Sequence, residues 1–173
     1  SEIVAKAFHA ALEGRPGPVV VGLPEDIIQQ EFHGQLHPVI PVAEGSICDD
    51  KLEVILNALS NAEKPLIFAG GQNWTTEASV QLTKFAEDNC IPVIHDWRAS
   101  DRVTFNSPSH AGYLGYGRSD ECAALIETAD VLLTIGTVLG DVASDGYKLR
   151  QSFDKPNYIV NLDTSLRGHS GSV

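Results

Sequence analysis

An open α/β sheet of parallel strands is the fold class that this 173-residue sequence predicts. Three observations carry that expectation. Four short apolar runs stand out: Leu66–Ala69, Ile91–His95, Val131–Ile135 and Tyr158–Leu162. Segments of helix length separate them, and crossovers of that length join parallel neighbours, whereas antiparallel ones need only a hairpin. The runs end in glycine or aspartate, at Gly70-Gly71, Asp96, Gly136 and Asp163. An open parallel sheet gathers its binding residues at those strand ends.

Taken in order, Glu2 to Glu13 set Val4, Ala7, Phe8, Ala11 and Leu12 on one helical face, and Gly14 stops the helix. Pro16, Gly17 and Pro18 make a turn, after which Val19 to Leu23 read as a strand of continuous apolar residues, covered on both faces. Nothing before it supplies a βαβ partner, so the expected partners lie upstream of Ser1. From Glu25 to Cys48 periodicity is lost, with Gly34, Pro38, Pro41 and Gly45 along an extended segment. Such a stretch is a domain linker more often than a loop. The expected organisation is therefore a domain tail over 1–24, a linker over 25–48 and an α/β domain over 49–173. Asp50 is the expected cap of a helix burying Leu52, Ile55, Leu56 and Leu59. After the first run of the sheet, a helix from Thr76 to Asn89 buries Ala78, Leu82, Phe85 and Ala86. The second run leads into a long excursion, Trp97 to Gly117, rich in Gly, Ser and Pro. Ser119 caps a third helix, with Asp120 and Glu121 favourable to its dipole and Cys122, Leu125, Ile126 and Ala129 as its apolar stripe.

Composition limits the functions open to the chain. Hydrophobic content of 43% and charged content of 20% describe a soluble globular chain, able at this length to bury about 70% of its unfolded surface. A net charge of −11 with no Lys/Arg cluster argues against nucleic acid, whose phosphates need a basic face. No apolar run has the length to span a bilayer and Ser1–Lys6 is not a signal sequence, so the expectation is a cytoplasmic protein with no membrane partner. Cys48, Cys90 and Cys122 lie far apart and read as ordinary thiols of a reducing compartment. The sequon Asn73-Trp74-Thr75 stays bare without secretion.

The junction Lys64-Pro-Leu-Ile-Phe-Ala-Gly-Gly-Gln72 organises the rest. Gly70 and Gly71 permit positive φ and leave backbone N–H groups uncovered. Ahead of a helix, such groups favour an anion. One reading is a nucleotide or diphosphate site drawn from Gly70, Gly71, Gln72, Asp96, Gly136, Thr137 and Asp163. The other is a tight strand-to-helix turn, because the spacing is not G-x-G-x-x-G. Asp96 follows Gly71 by 25 residues, about where a nucleotide-binding sheet sets its ribose carboxylate, and it also suits an acidic cap on a turn. His33 and His37 have metal-binding spacing only on a helix, which Gly34 and Pro38 oppose. Gly168-His-Ser-Gly171 lacks the last glycine of a nucleophile elbow, since Ser172 stands there. His95 and His110 have no nucleophile near them in sequence. Tyr113-Leu-Gly-Tyr-Gly117 reads as a ligand lid or as packing. No catalytic residue and no metal ligand is assigned.

The series of segments resembles the thiamine-diphosphate-dependent enzymes of the acetolactate synthase and 2-oxo-acid decarboxylase family. Gly14-Arg-Pro-Gly-Pro-Val-Val-Val-Gly-Leu-Pro-Glu-Asp26 is similar to the segment closing that family's first, pyrimidine-binding domain. Lys64-Pro65, Ala69-Gly70-Gly71, Ile91-Pro92-Val93, His110–Gly117, Ala129–Gly136 and Val160-Asn-Leu-Asp163 are similar to its central domain. The resemblance implies a three-layer α/β/α Rossmann-like fold with a parallel sheet of about six strands. It implies a parent enzyme, a transferase or lyase, that forms or breaks a carbon–carbon bond beside a 2-oxo acid carbonyl. Thiamine diphosphate and Mg2+ belong there to the first and third domains, so this chain should be catalytically silent alone. The implied partners are the missing N- and C-terminal domains and further copies, as a dimer or tetramer. Some members bind FAD in the central domain, and oxalyl-CoA decarboxylases bind ADP. FAD-binding members carry an arginine where this sequence has Val138, and an apolar side chain cannot pair with a diphosphate. The magnesium motif Gly-Asp-Gly has no full counterpart, Ser144-Asp145-Gly146 being the nearest. A stand-alone nucleotide-binding module and a structural oligomerisation domain are the rival readings.

Overall fold

The computed structural model describes residues 1–42, 45–150 and 155–161. The chain separates into two compact units, Ser1–Ser46 and Ile47–Val173.

The first unit holds helix α1 (Glu2–Leu12) and the single turn α2 (Glu25–Ile28), which interrupts the stretch expected to be a linker. Neither helix has a buried residue. Val19–Leu23 is not a strand: no ladder forms beside it among the described residues, and Val20 is 94% exposed. A strand exists only by pairing, and this unit offers it no partner. The His37 N–H donates to Ser1 Oγ at 2.9 Å, tying the extended segment to the start of α1.

The second unit runs α3 (Asp49–Asn61), β1 (Pro65–Ala69), α4 (Thr76–Asp88), β2 (Val93–Asp96), β3 (His110–Leu114), α5 (Asp120–Thr128), β4 (Val131–Ile135) and β5 (Asn157–Val160). The strands form one sheet in the order β3-β2-β1-β4-β5, every pair parallel. Among the described residues the sheet has five strands, against the expected six or so. The period of two along each strand splits the core. Ile67 and Ala69 of β1, Val93 of β2 and Val131 and Leu133 of β4 pack with Ile55 and Leu59 of α3 and Leu82 and Ala86 of α4. Leu66, Phe68, Ile94, Leu114 and Leu132 pack on the other face with Cys122 and Ile126 of α5. Helices on both faces of a parallel sheet make the three-layer α/β/α Rossmann-like fold.

Differences from the sequence reading have local causes. Helix α3 begins two residues earlier than expected: Cys48 is its N-cap and makes no side-chain cap bond, while Asp50 lies inside the first turn. Its predicted stripe narrows to Ile55 and Leu59, with Leu52 and Leu56 exposed. On α4, Leu82 and Ala86 are core as expected and Phe85 packs against them half-buried, while Ala78 is half-buried and Ser79 and Thr83 are buried as well. The second run begins at Val93, because Pro92 has no N–H for the ladder. The excursion Trp97–Gly117 contains β3, whose sequence His-Ala-Gly-Tyr-Leu shows no apolar run because it is an edge strand with only Leu114 buried. Ser119 does cap α5, accepting from the Cys122 N–H at 3.3 Å. Leu162, Asp163 and the Gly168-His-Ser-Gly171 stretch lie outside the described residues.

Candidate functional site

Strand order reverses beside β1: β2 follows it on one side and β4 is its neighbour on the other. A crevice for ligands lies at the strand C-terminal ends of such a switch point. Here Gly70, Gly71, Asp96, Gly136 and Thr137 meet. The meeting is a backbone contact. A Cβ on Gly71, at φ +76°, would fall 1.7 Å from Gly136 O, and one on Gly136, at φ +73°, would fall 2.4 Å from Gly70 O. A Cβ on Gly70 would strike Asp96 Cβ at 2.8 Å and Thr137 Cγ2 at 2.9 Å. The glycines thus let two strand-ending turns interlock.

The N–H groups that an anion would use are partly taken. Gly70 N–H donates to Ile135 O at 3.0 Å and Gly136 N–H to Val160 O at 2.8 Å. The start of α4 is capped by its own Thr75, whose Oγ1 accepts from Ala78 N–H at 3.0 Å. Two residues that the sequence did not flag hold the outer side. Trp74 Nε1–H donates to Gly70 O at 2.8 Å, and Arg102 Nη2–H donates to Gly71 O at 2.7 Å. The Arg102 guanidinium also lies 5.6 Å from the Trp74 ring centre and pairs with Asp101 at 2.6 Å. A tryptophan placed four residues after Gly70, at a helix start, is the only sequence signal for this clamp.

Asp96 is half-buried at the end of β2, and its Oδ1 is buried without a hydrogen-bond partner. Burial pushes its carboxyl above the usual range, opposed by a hydrogen bond from the Trp97 N–H and by the nearby charges of His95 and Arg98. The site therefore presents one unsatisfied acceptor beside an interlocked backbone, with its cation turned onto a protein carbonyl. Thr137 is half-buried with Oγ1 3.4 Å from Val138 O, and Gln72 is exposed. Asp163 lies outside the described residues.

The remaining candidates are not drawn into this site. His33 and His37 are exposed, the first 3.4 Å from Glu31 and the second with Nδ1 2.9 Å from Pro38 O. Tyr113 donates from its hydroxyl to Gly117 O at 2.9 Å, which closes the turn expected to be a lid or packing. Asp145, of the only Asp-Gly pair, accepts from Arg118 Nε at 3.1 Å and also from Arg118 Nη2. Its φ of +52° places it in a turn, and its carboxylate is engaged there.

Comparison with known proteins gives these observations a context. The family described as thiamine pyrophosphate enzyme, central domain, matches residues 52–167. The acetolactate synthase large subunit of Haemophilus influenzae is 31% identical over 79% of this chain and 25% of its own length. That of Corynebacterium glutamicum is 30% identical over 82% of this chain and 24% of its own. Glyoxylate carboligase of Escherichia coli O157:H7 is 36% identical over 53% of the chain and 16% of its own length. The chain spans about a quarter of the length of the acetolactate synthase subunits it matches. No described helix is long and apolar enough to cross a membrane. The chain belongs to the central-domain family of thiamine pyrophosphate enzymes.

Proposed function

We propose that this chain works as the central scaffold of a larger thiamine-diphosphate enzyme that makes or breaks a carbon–carbon bond beside a 2-oxo acid carbonyl. Relatives named acetolactate synthase over most of the chain support the parent activity. The interlock of Gly71 with Gly136 carries the scaffold reading, since both glycines are needed for turn-to-turn contact alone. In this reading residues 1–24 end a preceding pyrimidine-binding domain, 25–48 link it to the centre, and 49–173 are the central domain. The cofactor supplies the carbanion chemistry. Asp145 does not suit magnesium, because Arg118 already takes its carboxylate; in this reading the metal and the diphosphate are assigned to the other domains of the parent. Association of the parent into a dimer or tetramer, in the cytoplasm, completes the proposal.

A second reading has one observation in its favour. The unpartnered Asp96 Oδ1 could accept from a ribose hydroxyl, making Gly70, Gly71, Gln72, Asp96, Gly136, Thr137 and Asp163 a nucleotide site. A diphosphate fits poorly: Gly70 and Gly136 N–H are spent within the sheet, and Val138 offers no charge. Thermal unfolding with FAD, ADP, NAD, or thiamine diphosphate plus magnesium separates the readings. A ligand at about 100 times its dissociation constant adds roughly 2.7 kcal/mol. The scaffold reading expects a flat response to all four, and a rise with ADP or FAD would replace it by the nucleotide reading. The parent activity is checked separately, by acetolactate formation from pyruvate in the full-length enzyme. Its absence would remove the acetolactate assignment.

A further inference from the structure

The β2–β3 ladder contains an irregularity that builds an aromatic stack. Val93 pairs with His110 but Ile94 pairs with Gly112, so Ala111 is an extra residue on β3. His110 and Tyr113 stand an odd number of residues apart and would face opposite sides of a regular strand. The bulge sets both on the side of His95, which pairs with Tyr113. His95 stacks on His110 at 5.3 Å with 14° between the rings, and on Tyr113 at 6.0 Å and 21°. Phe105, from the connecting loop, packs against His110 at 5.4 Å.

Both imidazoles are pinned in one tautomer. His95 Nδ1 lies 2.8 Å from Asp96 O, and His110 Nδ1 lies 3.1 Å from Phe105 O. A carbonyl only accepts, so each Nδ1 carries the hydrogen and each Nε2 of a neutral ring is a lone pair. His110 Nε2 is buried with no hydrogen-bond partner among the described residues. Burial holds His95 below the ordinary histidine range. The bond to Asp96 O opposes that, His110 adds to it, and the Asp96 and Asp101 carboxylates oppose it. On α4, Glu87 accepts from Ser107 Oγ of the loop at 2.7 Å. Arg102 is turned toward Gly71 O and Asp101.

The loop 97–109 joins this stack to the site. Its Phe105 carbonyl holds His110, its Thr104 N–H donates to Thr83 Oγ1 of α4 at 3.0 Å, and its Arg102 holds Gly71 O. We propose that the His95–His110–Tyr113 stack is a proton-sensitive latch on this loop. With His95 neutral, its ring stays buried against the His110 and Tyr113 rings of β3; protonated, His95 regains solvent only by the opening of that stack, which carries with it the loop that Phe105 O ties to His110 and loosens the hold of Arg102 on the Gly70–Gly71 turn. The sign follows from the chemistry of a base whose folded pKa is depressed. Its stabilisation is present above the unfolded value of 6.5 and is lost as pH falls through the folded one.

The latch is independent of whether a nucleotide binds. Its test is amide exchange and thermal unfolding of the whole chain at about pH 7.5 and about pH 5.5, which bracket histidine titration. With exchange corrected for its intrinsic pH dependence, residues 97–114 should lose protection several-fold at the acid value, ahead of β1 and β4. In His95→Asn, whose amide nitrogen replaces the Nδ1 donor, most of that loss should disappear. Equal protection at both pH values in the unaltered chain overturns the latch, and so does an undiminished acid loss in His95→Asn. If the variant does not fold, an NMR titration of the imidazoles in the unaltered chain decides. His95 titrating below ordinary histidine, together with the 97–109 amides, supports the latch. His95 titrating at or above the ordinary value overturns it.

Discussion

Gly71 and Gly136 touch through backbone atoms, so each is a position where any side chain must displace a carbonyl. Gly71→Ala combines a positive φ with a would-be contact of 1.7 Å. We expect it to destabilise the chain by about 3 kcal/mol, read as a lowered urea midpoint. Gly140, with nothing within 4 Å of its would-be Cβ, is the control, and Gly140→Ala should stay within about 0.5 kcal/mol. Asp96 gives a prediction of opposite sign. An acid whose folded pKa is raised by burial stabilises the fold below the unfolded value of 3.8 and costs stability as pH rises through the folded one. Asp96→Asn keeps the shape and removes the unpaired charge. It should raise the unfolding midpoint at neutral pH by the equivalent of roughly 0.5 kcal/mol, a small figure because the group is half exposed to solvent. The gain should vanish below about pH 3, where aspartate is protonated in both states. A gain that persists there would show that packing, and not charge, is responsible.

At the scale of elements, caps and buried faces set the order of importance. Ser119 caps α5 through its side chain, and Ser119→Ala should cost about 1 kcal/mol. Cys48 occupies the same position on α3 without a side-chain bond, so Cys48→Ser should gain several tenths of a kcal/mol. Ile126, fully buried between α5 and the sheet, should cost about 3 kcal/mol as alanine. Denaturant midpoints of the three variants, compared at one pH, check the ranking. These elements were legible because their signals are local: a 3.6-residue stripe for α5, a continuous apolar run for β1 and β4. Edge strand β3 was not. Its burial is confined to Leu114, and its place in the ladder depends on the bulge at Ala111, which only the register reveals. Asp50 was mistaken for a cap because three acidic or capping positions are adjacent, and the backbone chose Cys48.

For the whole molecule, the strand-end rule placed Gly70, Gly71, Asp96, Gly136 and Thr137 together from sequence alone. It could not show that they pack against one another, because Trp74 and Arg102 reach them across four and 31 residues respectively. The two units differ in a way that composition hides. In the second, alternating strands bury two clusters. In the first, Ile3, Phe8, Leu12, Val20 and Phe32 are exposed, and α1 and α2 bury nothing. Cooperative unfolding requires a buried apolar core, so the stability measured for this chain belongs to the second unit. A chain trimmed to residues 47–173 should therefore unfold with a midpoint within about 2 °C of the whole, a difference of roughly 0.5 kcal/mol. Amides of 1–46 in the whole chain should exchange with little protection, at the low end of local opening energies. If trimming instead lowers the midpoint by more than about 5 °C, the assignment of the chain's stability to the second unit alone is overturned.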